Sequence, residues 1–81
     1  MTGHVSTKHI IQNLTRSELL AAVEDAMLSP KERDIIIMIY LRHWKINYIA
    51  YKIGYAESTV RLKHRQAVAK IGSALKKGGQ G

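Results

Sequence analysis

Residues 46–65, INYIAYKIGYAESTVRLKHR, are the stretch that decides the fold of this 81-residue chain. The first part of the stretch repeats apolar residues at the spacing of one face of an α-helix: Ile46, Ile49, Ala50 and Ile53. Gly54 follows at once, and glycine is the usual residue in the left-handed position that ends a helix. The spacing therefore predicts a short helix that ends at Gly54.

A second, longer helix is predicted to begin near Glu57. Its apolar residues share one side: Val60, Ala67, Ile71, Ala74 and Leu75. Ile49 and Ala50 offer a large and a small buried residue in the first helix, and Val60 is expected to insert between the two helices. A short helix, a tight turn and a second helix that crosses the first define a helix-turn-helix. The sequence predicts this motif over residues 46–75.

Two capping boxes mark the starts of two further helices. Thr15 precedes Glu18 by three residues, and Ser29 precedes Glu32 by three, with Pro30 at the first helical position. Apolar residues then recur at helical spacing: Leu19, Leu20, Val23 and Met27 in the first helix, and Ile35, Ile36, Ile39 and Tyr40 in the second. Each box therefore predicts an amphipathic helix directly after it.

The isoleucine-rich run at residues 35–39 also resembles a buried strand. The proline and capping box before it, and the acidic residues in its first turn, favour a helix. Arg42 and His43 are expected to lie in the last turn of this helix, where cations are favourable. We expect the helix to end at Trp44–Lys45.

The chain is expected to form one domain, because 81 residues are too few to build two cores. The helical domain is placed at residues 15–77. Residues 1–14 are expected to be a flexible arm or, around Ile10–Ile11, a short helix, and the pattern does not choose between the two. Residues 78–81 are glycine-rich and are expected to be a flexible tail. The predicted fold class is all-α, a bundle of four or five helices that contains the helix-turn-helix.

Positive charge is concentrated in the second half of the chain. The formal net charge is +7 and the isoelectric point is about 10.0. Residues 1–41 contain four Lys or Arg and five Asp or Glu. Residues 42–81 contain nine Lys or Arg and one acidic residue, Glu57. Such segregation is typical of a surface that binds a polyanion. A basic surface that only keeps the protein soluble is the alternative.

Membrane and disulfide-stabilised classes do not fit the composition. The chain has no cysteine, which excludes a disulfide framework and fits the reducing cytoplasm. The longest apolar run, residues 35–41, is too short to span a membrane, and the N-terminus lacks the pattern of a signal peptide. We therefore expect a cytoplasmic protein without a membrane partner.

Enzyme and metal sites are not expected either. His43 and His64 fall in different predicted helices without acidic or cysteine companions, and His4 and His9 lie in the weakly patterned N-terminal segment. The sequence contains no nucleophile–base pair, no glycine-rich phosphate loop and no paired interior carboxylates. We expect no catalytic residue, cofactor, metal or small-molecule ligand.

Residues 28–36, LSPKERDII, open a stretch that resembles two related DNA-binding domains: region 4 of bacterial sigma factors and the output domain of LuxR-type response regulators. Later motifs continue the resemblance: Tyr48-Ile49-Ala50, Ile53-Gly54, Ser58-Thr59-Val60-Arg61, and Ala67 with Lys70 and Ile71. The resemblance covers roughly residues 28–75. It implies a four-helix transcriptional regulator from a bacterium or a phage, with double-stranded DNA as its partner. Since sigma region 4 also contacts RNA polymerase, it implies that enzyme as a second partner.

The chain departs from both families at two positions. Tyr48 stands where both favour an acidic residue, and Ala56 stands where both favour an N-capping serine. Ser58 is the candidate to replace that cap one turn later. No receiver, ligand-binding or core-promoter region precedes the motif, so we expect a stand-alone DNA-binding unit.

Helical phase assigns five residues to base contacts in the major groove: Glu57, Ser58, Arg61, Leu62 and Arg65. They project away from the predicted buried side near the start of the helix, where side chains reach deepest into the groove. Arginine can bind guanine through two hydrogen bonds. Glu57 is expected either to accept from a cytosine amino group or only to favour the helix start. Leu62 is expected to contact a thymine methyl or to pack on a neighbouring helix.

Five other residues are assigned to phosphate contacts, which fix register without specifying sequence: Lys45, Asn47, Lys52, Thr59 and Lys63. Lys70, Lys76 and Lys77 are further candidates, with a solvated lysine as the alternative for each. Tyr48 and Tyr51 are expected either to pack in the core or to present their hydroxyls to phosphates.

Three functions compete on these observations. The leading one is a sequence-specific, double-stranded DNA-binding transcriptional regulator that acts as a homodimer through residues 15–27 or 71–75. The second is an adaptor that binds RNA polymerase or another regulator. The third is a non-specific nucleic-acid binder.

Overall fold

The computed structural model describes residues 7–78, which form five α-helices and no strand. The helices are α1 (Thr7–Gln12), α2 (Arg16–Ala26), α3 (Pro30–Tyr40), α4 (Ile46–Ile53) and α5 (Glu57–Gly78). The predicted all-α bundle is confirmed, with five helices. The flexibility expected for residues 1–6 and 79–81 lies outside the described residues, whereas Gly78 belongs to α5.

The segment before α2 is a helix rather than an arm over its described part. α1 places Ile11 in the core with only 1% of its surface exposed, while the neighbouring Ile10 is 41% exposed. Ile11 packs in the same cluster as Ala67 and Ile71 of α5. Burial of this one side chain therefore fixes α1 against the last helix.

Both capping boxes form as the sequence predicted. Thr15 Oγ1 accepts from the Glu18 amide at 3.1 Å, and Glu18 Oε1 accepts from the Thr15 amide at 2.8 Å. The box at Ser29 and Glu32 has the same two hydrogen bonds. The expectation for Met27 was wrong: it caps α2 in the left-handed conformation at φ 53° and is 85% exposed. Met27 therefore contributes nothing to the apolar face of α2.

The end of α3 also differs from the prediction. The helix ends at Tyr40, and the loop that follows turns at His43, which has φ 58°. The Trp44 amide donates to Met38 O at 2.9 Å and folds the loop back onto the helix. Arg42 and His43 therefore lie outside the last turn, so the assignment of these cations to the helix dipole was wrong.

Two groups of buried residues hold the bundle together. The first, here the α2 core, joins α1, α2, α3 and α5: Ile11, Leu19, Ala22, Val23, Ile36, Ala67 and Ile71. The second, here the α4 core, joins α3, α4 and α5: Ile35, Ile49, Ala50 and Val60. α5 contributes to both, so its position relative to α4 depends on the smaller α4 core.

An ion pair between the buried Glu32 and the half-exposed Lys70 ties α3 to the middle of α5. The Glu32 side chain is 6% exposed, and its Oε1 accepts from Lys70 Nζ at 2.8 Å and from the Ser29 amide at 2.9 Å. Burial by itself raises the pKa of the Glu32 carboxyl, but the hydrogen bonds from Lys70 and Ser29 outweigh it and hold the pKa below the ordinary 4.5. Glu32 is therefore charged at neutral pH.

This pair predicts a specific loss of stability in acid. Because the folded-state pKa of Glu32 is depressed, its contribution is complete above about pH 4.5 and is lost as the pH falls through the folded-state pKa. Glu32→Gln should lower the free energy of unfolding at pH 7 by about 1–3 kcal/mol. The gap between wild type and variant should narrow below pH 4.5. Urea unfolding at several pH values measures this difference in the free energy of unfolding, and Glu24→Gln, at an exposed position, is the control. A difference between wild type and Glu32→Gln that stays constant with pH would contradict the depressed pKa of Glu32.

Candidate nucleic-acid interface

The turn between α4 and α5 is built as its sequence indicated. Gly54 ends α4 at φ 74°, and the Tyr55 amide donates to Ala50 O at 3.0 Å. A Cβ at position 54 would meet nothing within 4 Å, so the left-handed backbone alone calls for glycine here. Beyond the turn, Val60 is fully buried against Ile49 and Ala50. α4 and α5 are thus fixed to one another by a tight turn and a shared core.

α5 starts without a side-chain acceptor at the residue before it. Ala56 occupies that position, and its carbonyl accepts from the amides of Thr59 and Val60, both at 3.1 Å. Glu57 places a carboxylate in the first turn, where it is favourable to the exposed amides. The first turn of α5 therefore keeps free amide groups near the expected base-contacting residues.

The outward side of α5 carries the residues assigned to base contacts. Five side chains are exposed at the start of this helix: Glu57, Ser58, Arg61, Leu62 and Arg65. The opposite side is fully buried at Val60, Ala67 and Ile71. Leu62 is 46% exposed, so it does not pack into either core. The structure therefore brings all five together on one accessible surface.

Glu57 and Arg61 interact with each other across one turn of α5. Arg61 Nη1 lies 3.4 Å from Glu57 Oε1, with the two side chains 58% and 50% exposed. A surface pair of this kind stabilises little. The pair does restrict the Arg61 side chain. Because a guanidinium group has five N–H donors, most of them remain available for a ligand. Without DNA, the carboxylate of Glu57 therefore pairs with Arg61.

The residues assigned to phosphate contacts divide into two groups. Lys45, Asn47 and Lys52 are exposed at the start and on the outer face of α4. Thr59 and Lys63 are half-buried, which leaves less of each side chain available to a ligand. Asn47 Oδ1 also accepts from the Tyr48 amide at 2.9 Å.

Aromatic and cationic side chains alternate along the outer face of α4 and the loop before it. Arg42 lies 5.4 Å from the Trp44 ring centre, Trp44 meets Tyr48 edge-on at 5.0 Å, and Lys52 lies 5.8 Å from Tyr48. Tyr51 is 80% exposed beside them. Tyr48 and Tyr51 are therefore surface residues, and the option of core packing was wrong for both.

Two of the remaining lysine candidates lie outside the described side chains, and the third has another role. The side chains of Lys76 and Lys77 are not described. Lys70 binds the buried Glu32, so it serves the α3–α5 contact. Its side chain remains 47% exposed, and its candidate phosphate contact stays a prediction.

A cleft beside the exposed face of α5 contains residues that the sequence did not single out. It has a volume of about 370 Å³ and is lined by Lys8, Ile46, Arg61, His64, Arg65 and Val68. Lys8 comes from α1 and reaches this place because Ile11 is buried. The Ile10–Ile11 pair was the available signal, but it could not show which helix α1 would contact.

His64 is the most enclosed polar residue of the cleft. Its Nε2 and the Tyr40 hydroxyl are 2.7 Å apart, and the two rings stack with centres 5.7 Å apart. Burial lowers the pKa of His64, and the positive charge of Lys8 lowers it further. Burial also raises the pKa of Tyr40. Both side chains are therefore neutral at pH 7, and the hydrogen bond between them fixes the imidazole ring.

Within residues 8–75, no three His, Cys, Asp or Glu side chains converge in a way that could hold a metal ion. No helix in the described part of the chain is long and apolar enough to cross a membrane.

No family model matches the chain, and comparisons with curated proteins and with solved structures find no significant similarity.

Proposed function

We propose that this protein is a sequence-specific, double-stranded DNA-binding transcriptional regulator, and that α4 and α5 are its helix-turn-helix. One observation carries the proposal: Ser58, Arg61, Leu62 and Arg65 form an exposed row on a helix whose opposite side is fully buried. A helix of this kind fits the major groove, where arginine binds guanine and an apolar side chain contacts the thymine methyl.

Charge supports a nucleic acid as the partner. The second half of the chain, which contains α4 and α5, holds nine of the thirteen Lys and Arg residues and one of the six acids. Phosphate neutralisation by such a surface releases counterions, so affinity should fall steeply with salt. For a regulator from a bacterium or a phage, as the resemblance implies, the cytoplasm holds the DNA and is the proposed place of action.

α4 is proposed to lie across the phosphate backbone. Lys45, Asn47 and Lys52 are exposed on it, and Tyr51 presents a hydroxyl beside them. Contacts to phosphate set the register of α5 in the groove but carry no sequence information. The half-buried Thr59 and Lys63 are secondary members of this group.

A homodimer on two half-sites belongs to the proposal, because a single module buries only about 600–1,000 Å² on DNA. Four apolar residues of the two segments considered for the interface are used inside the chain: Leu19, Ala22, Val23 and Ile71 are all buried in the α2 core. Met27, which caps α2, is a large apolar side chain at the surface, with 85% exposure. A dimer through α2 would therefore be centred on Met27.

An adaptor that binds RNA polymerase is the second candidate. It is favoured by the exposed aromatic side chains on α4, Tyr48 at 43% and Tyr51 at 80%, because protein interfaces are enriched in tyrosine. An adaptor of this kind does not need the two arginines on α5. The two candidates therefore differ in whether duplex affinity depends on Arg61 and Arg65.

Selection of bound duplexes from a random pool at physiological salt tests the proposed function. A sequence-specific regulator enriches one motif, and a dimer enriches two copies related by a two-fold axis about one helical turn apart. Enrichment of a single asymmetric site would contradict the dimer. Recovery of an unchanged random pool would contradict sequence-specific binding and leave the adaptor and the non-specific binder.

A further inference from the structure

The cleft beside α5 joins positive side chains from two helices at opposite ends of the sequence. Lys8 of α1 and Arg61 and Arg65 of α5 carry the positive charge, whereas His64 is neutral at pH 7. Of the described residues that line the cleft, none is acidic. Glu57 offsets only part of this charge, through its exposed pair with Arg61 at 3.4 Å, so the cleft attracts an anion.

We propose that this cleft holds a phosphate group, contacted by Lys8 from α1, beside the face of α5 on which Arg61 and Arg65 are proposed to contact bases. The lysine ammonium is a compact positive charge with three donors, and the two neighbouring guanidinium groups raise the positive potential around it. Where the phosphate belongs to a DNA backbone, the inference rests on the proposed function. A free phosphate compound presents the same chemistry, so the experiment separates the two sources.

The position of Lys8 is fixed by the fold. Ile11 lies three residues further along α1 and is 1% exposed in the α2 core, next to Ala67 and Ile71 of α5. Residues three apart lie on adjacent positions of a helix surface. The backbone of Lys8 is therefore held beside α5, which brings its exposed side chain to the cleft.

The opposite wall of the cleft is also restrained. The hydrogen bond to the Tyr40 hydroxyl at 2.7 Å and the stacking of the two rings fix His64. Arg61 is restrained by Glu57 at 3.4 Å. His64 therefore forms an ordered wall of the cleft, beside exposed positive groups that an anion can reach.

Binding at this cleft would extend the DNA contact beyond the α4–α5 pair. α5 would lie in the major groove with Arg61 and Arg65 near its middle, and Lys8 would reach a phosphate at the edge of that groove. Each phosphate neutralised on B-DNA contributes about 0.9 to the slope of log affinity against log salt. Loss of Lys8 should therefore lower that slope by nearly one.

Two titrations of the full chain test the inference, one with a duplex oligonucleotide from the selection above and one with inorganic pyrophosphate. Lys8→Ala should lower duplex affinity by about 3- to 10-fold and reduce the salt slope by about 0.9. Arg16→Ala, which removes one exposed positive charge from the start of α2, is the matched control and should leave the slope unchanged. Pyrophosphate binding is followed by the ring resonances of His64.

The outcomes separate the two proposals. A duplex effect of Lys8→Ala without a pyrophosphate effect identifies the phosphate as part of DNA. If no duplex binds but pyrophosphate shifts the His64 resonances in wild type and not in Lys8→Ala, the proposed function fails while the cleft remains a site for free phosphate compounds. Equal duplex affinity and slope in Lys8→Ala and Arg16→Ala, with unshifted His64 resonances, overturn the inference.

Discussion

Replacing both Arg61 and Arg65 with alanine is expected to abolish specific duplex binding while the protein stays folded. Both side chains are exposed on the outer face of α5 and contribute nothing to either core. A bidentate arginine–guanine contact accounts for about 1–3 kcal/mol of discrimination, so the loss of two should lower affinity by about 100-fold or more. Fluorescence anisotropy with a labelled duplex at fixed salt measures the change.

A matched control separates loss of contacts from loss of charge. Arg16→Ala/Arg33→Ala also removes two exposed arginines, from α2 and α3, and should change affinity only slightly through the net charge. Circular dichroism should show the same helix content in both double variants. If the two bind duplex equally well, α5 does not contact the bases, and the adaptor becomes the better account.

Single substitutions separate the role of Glu57 from that of Arg61. Arg61 is held by Glu57, so Glu57→Gln should release its guanidinium without removing it. A smaller loss in Glu57→Gln than in Arg61→Ala is expected if Glu57 only positions Arg61. An equal loss at cytosine-containing sites would instead assign Glu57 its own base contact.

Local features of the fold could be predicted from the sequence because each depends on a few neighbouring residues. The boxes at Thr15 and Ser29 form from a hydroxyl and a carboxylate three positions apart. Gly54 adopts the left-handed conformation, as its place after an apolar run indicated. The buried side of α5 follows directly from the spacing of Val60 and Ala67.

Helix ends without a glycine or proline were less predictable. α2 ends at Ala26 with Met27 in a left-handed conformation, and α3 ends at Tyr40 although apolar and basic residues continue. The end of α3 depends on how the following loop packs, as the hydrogen bond from the Trp44 amide to Met38 O shows. Periodicity carries no information about such contacts.

Contacts between distant parts of the chain could not be predicted from the sequence. The sequence offers Lys70 as a phosphate candidate, whereas in the fold it binds Glu32, thirty-eight residues earlier. Lys8 lies in the less basic half of the chain, and the fold places it with Arg61 and Arg65. In both cases the type of side chain is evident from the sequence, but the packing of the helices determines its partner.

Ile49→Ala is expected to lower the free energy of unfolding by about 2–5 kcal/mol, the usual cost of removing a fully buried isoleucine side chain. Ile49 belongs to the α4 core, which among the described residues has three other buried members: Ile35, Ala50 and Val60. Domains of this size have a total stability of roughly 4–12 kcal/mol, so the loss is a large part of it. Urea unfolding followed by circular dichroism measures it.

The same substitution tests whether the α4 core positions the recognition surface. The α2 core holds α5 to α2 without Ile49, so partial loosening should free α4 before the rest unfolds. Duplex affinity should therefore fall in Ile49→Ala under conditions where most of the protein remains folded. Ile10→Ala, at a 41% exposed isoleucine, is the control and should cost less than about 1 kcal/mol. Equal stability losses in the two variants would mean that α4 is held by contacts other than this core.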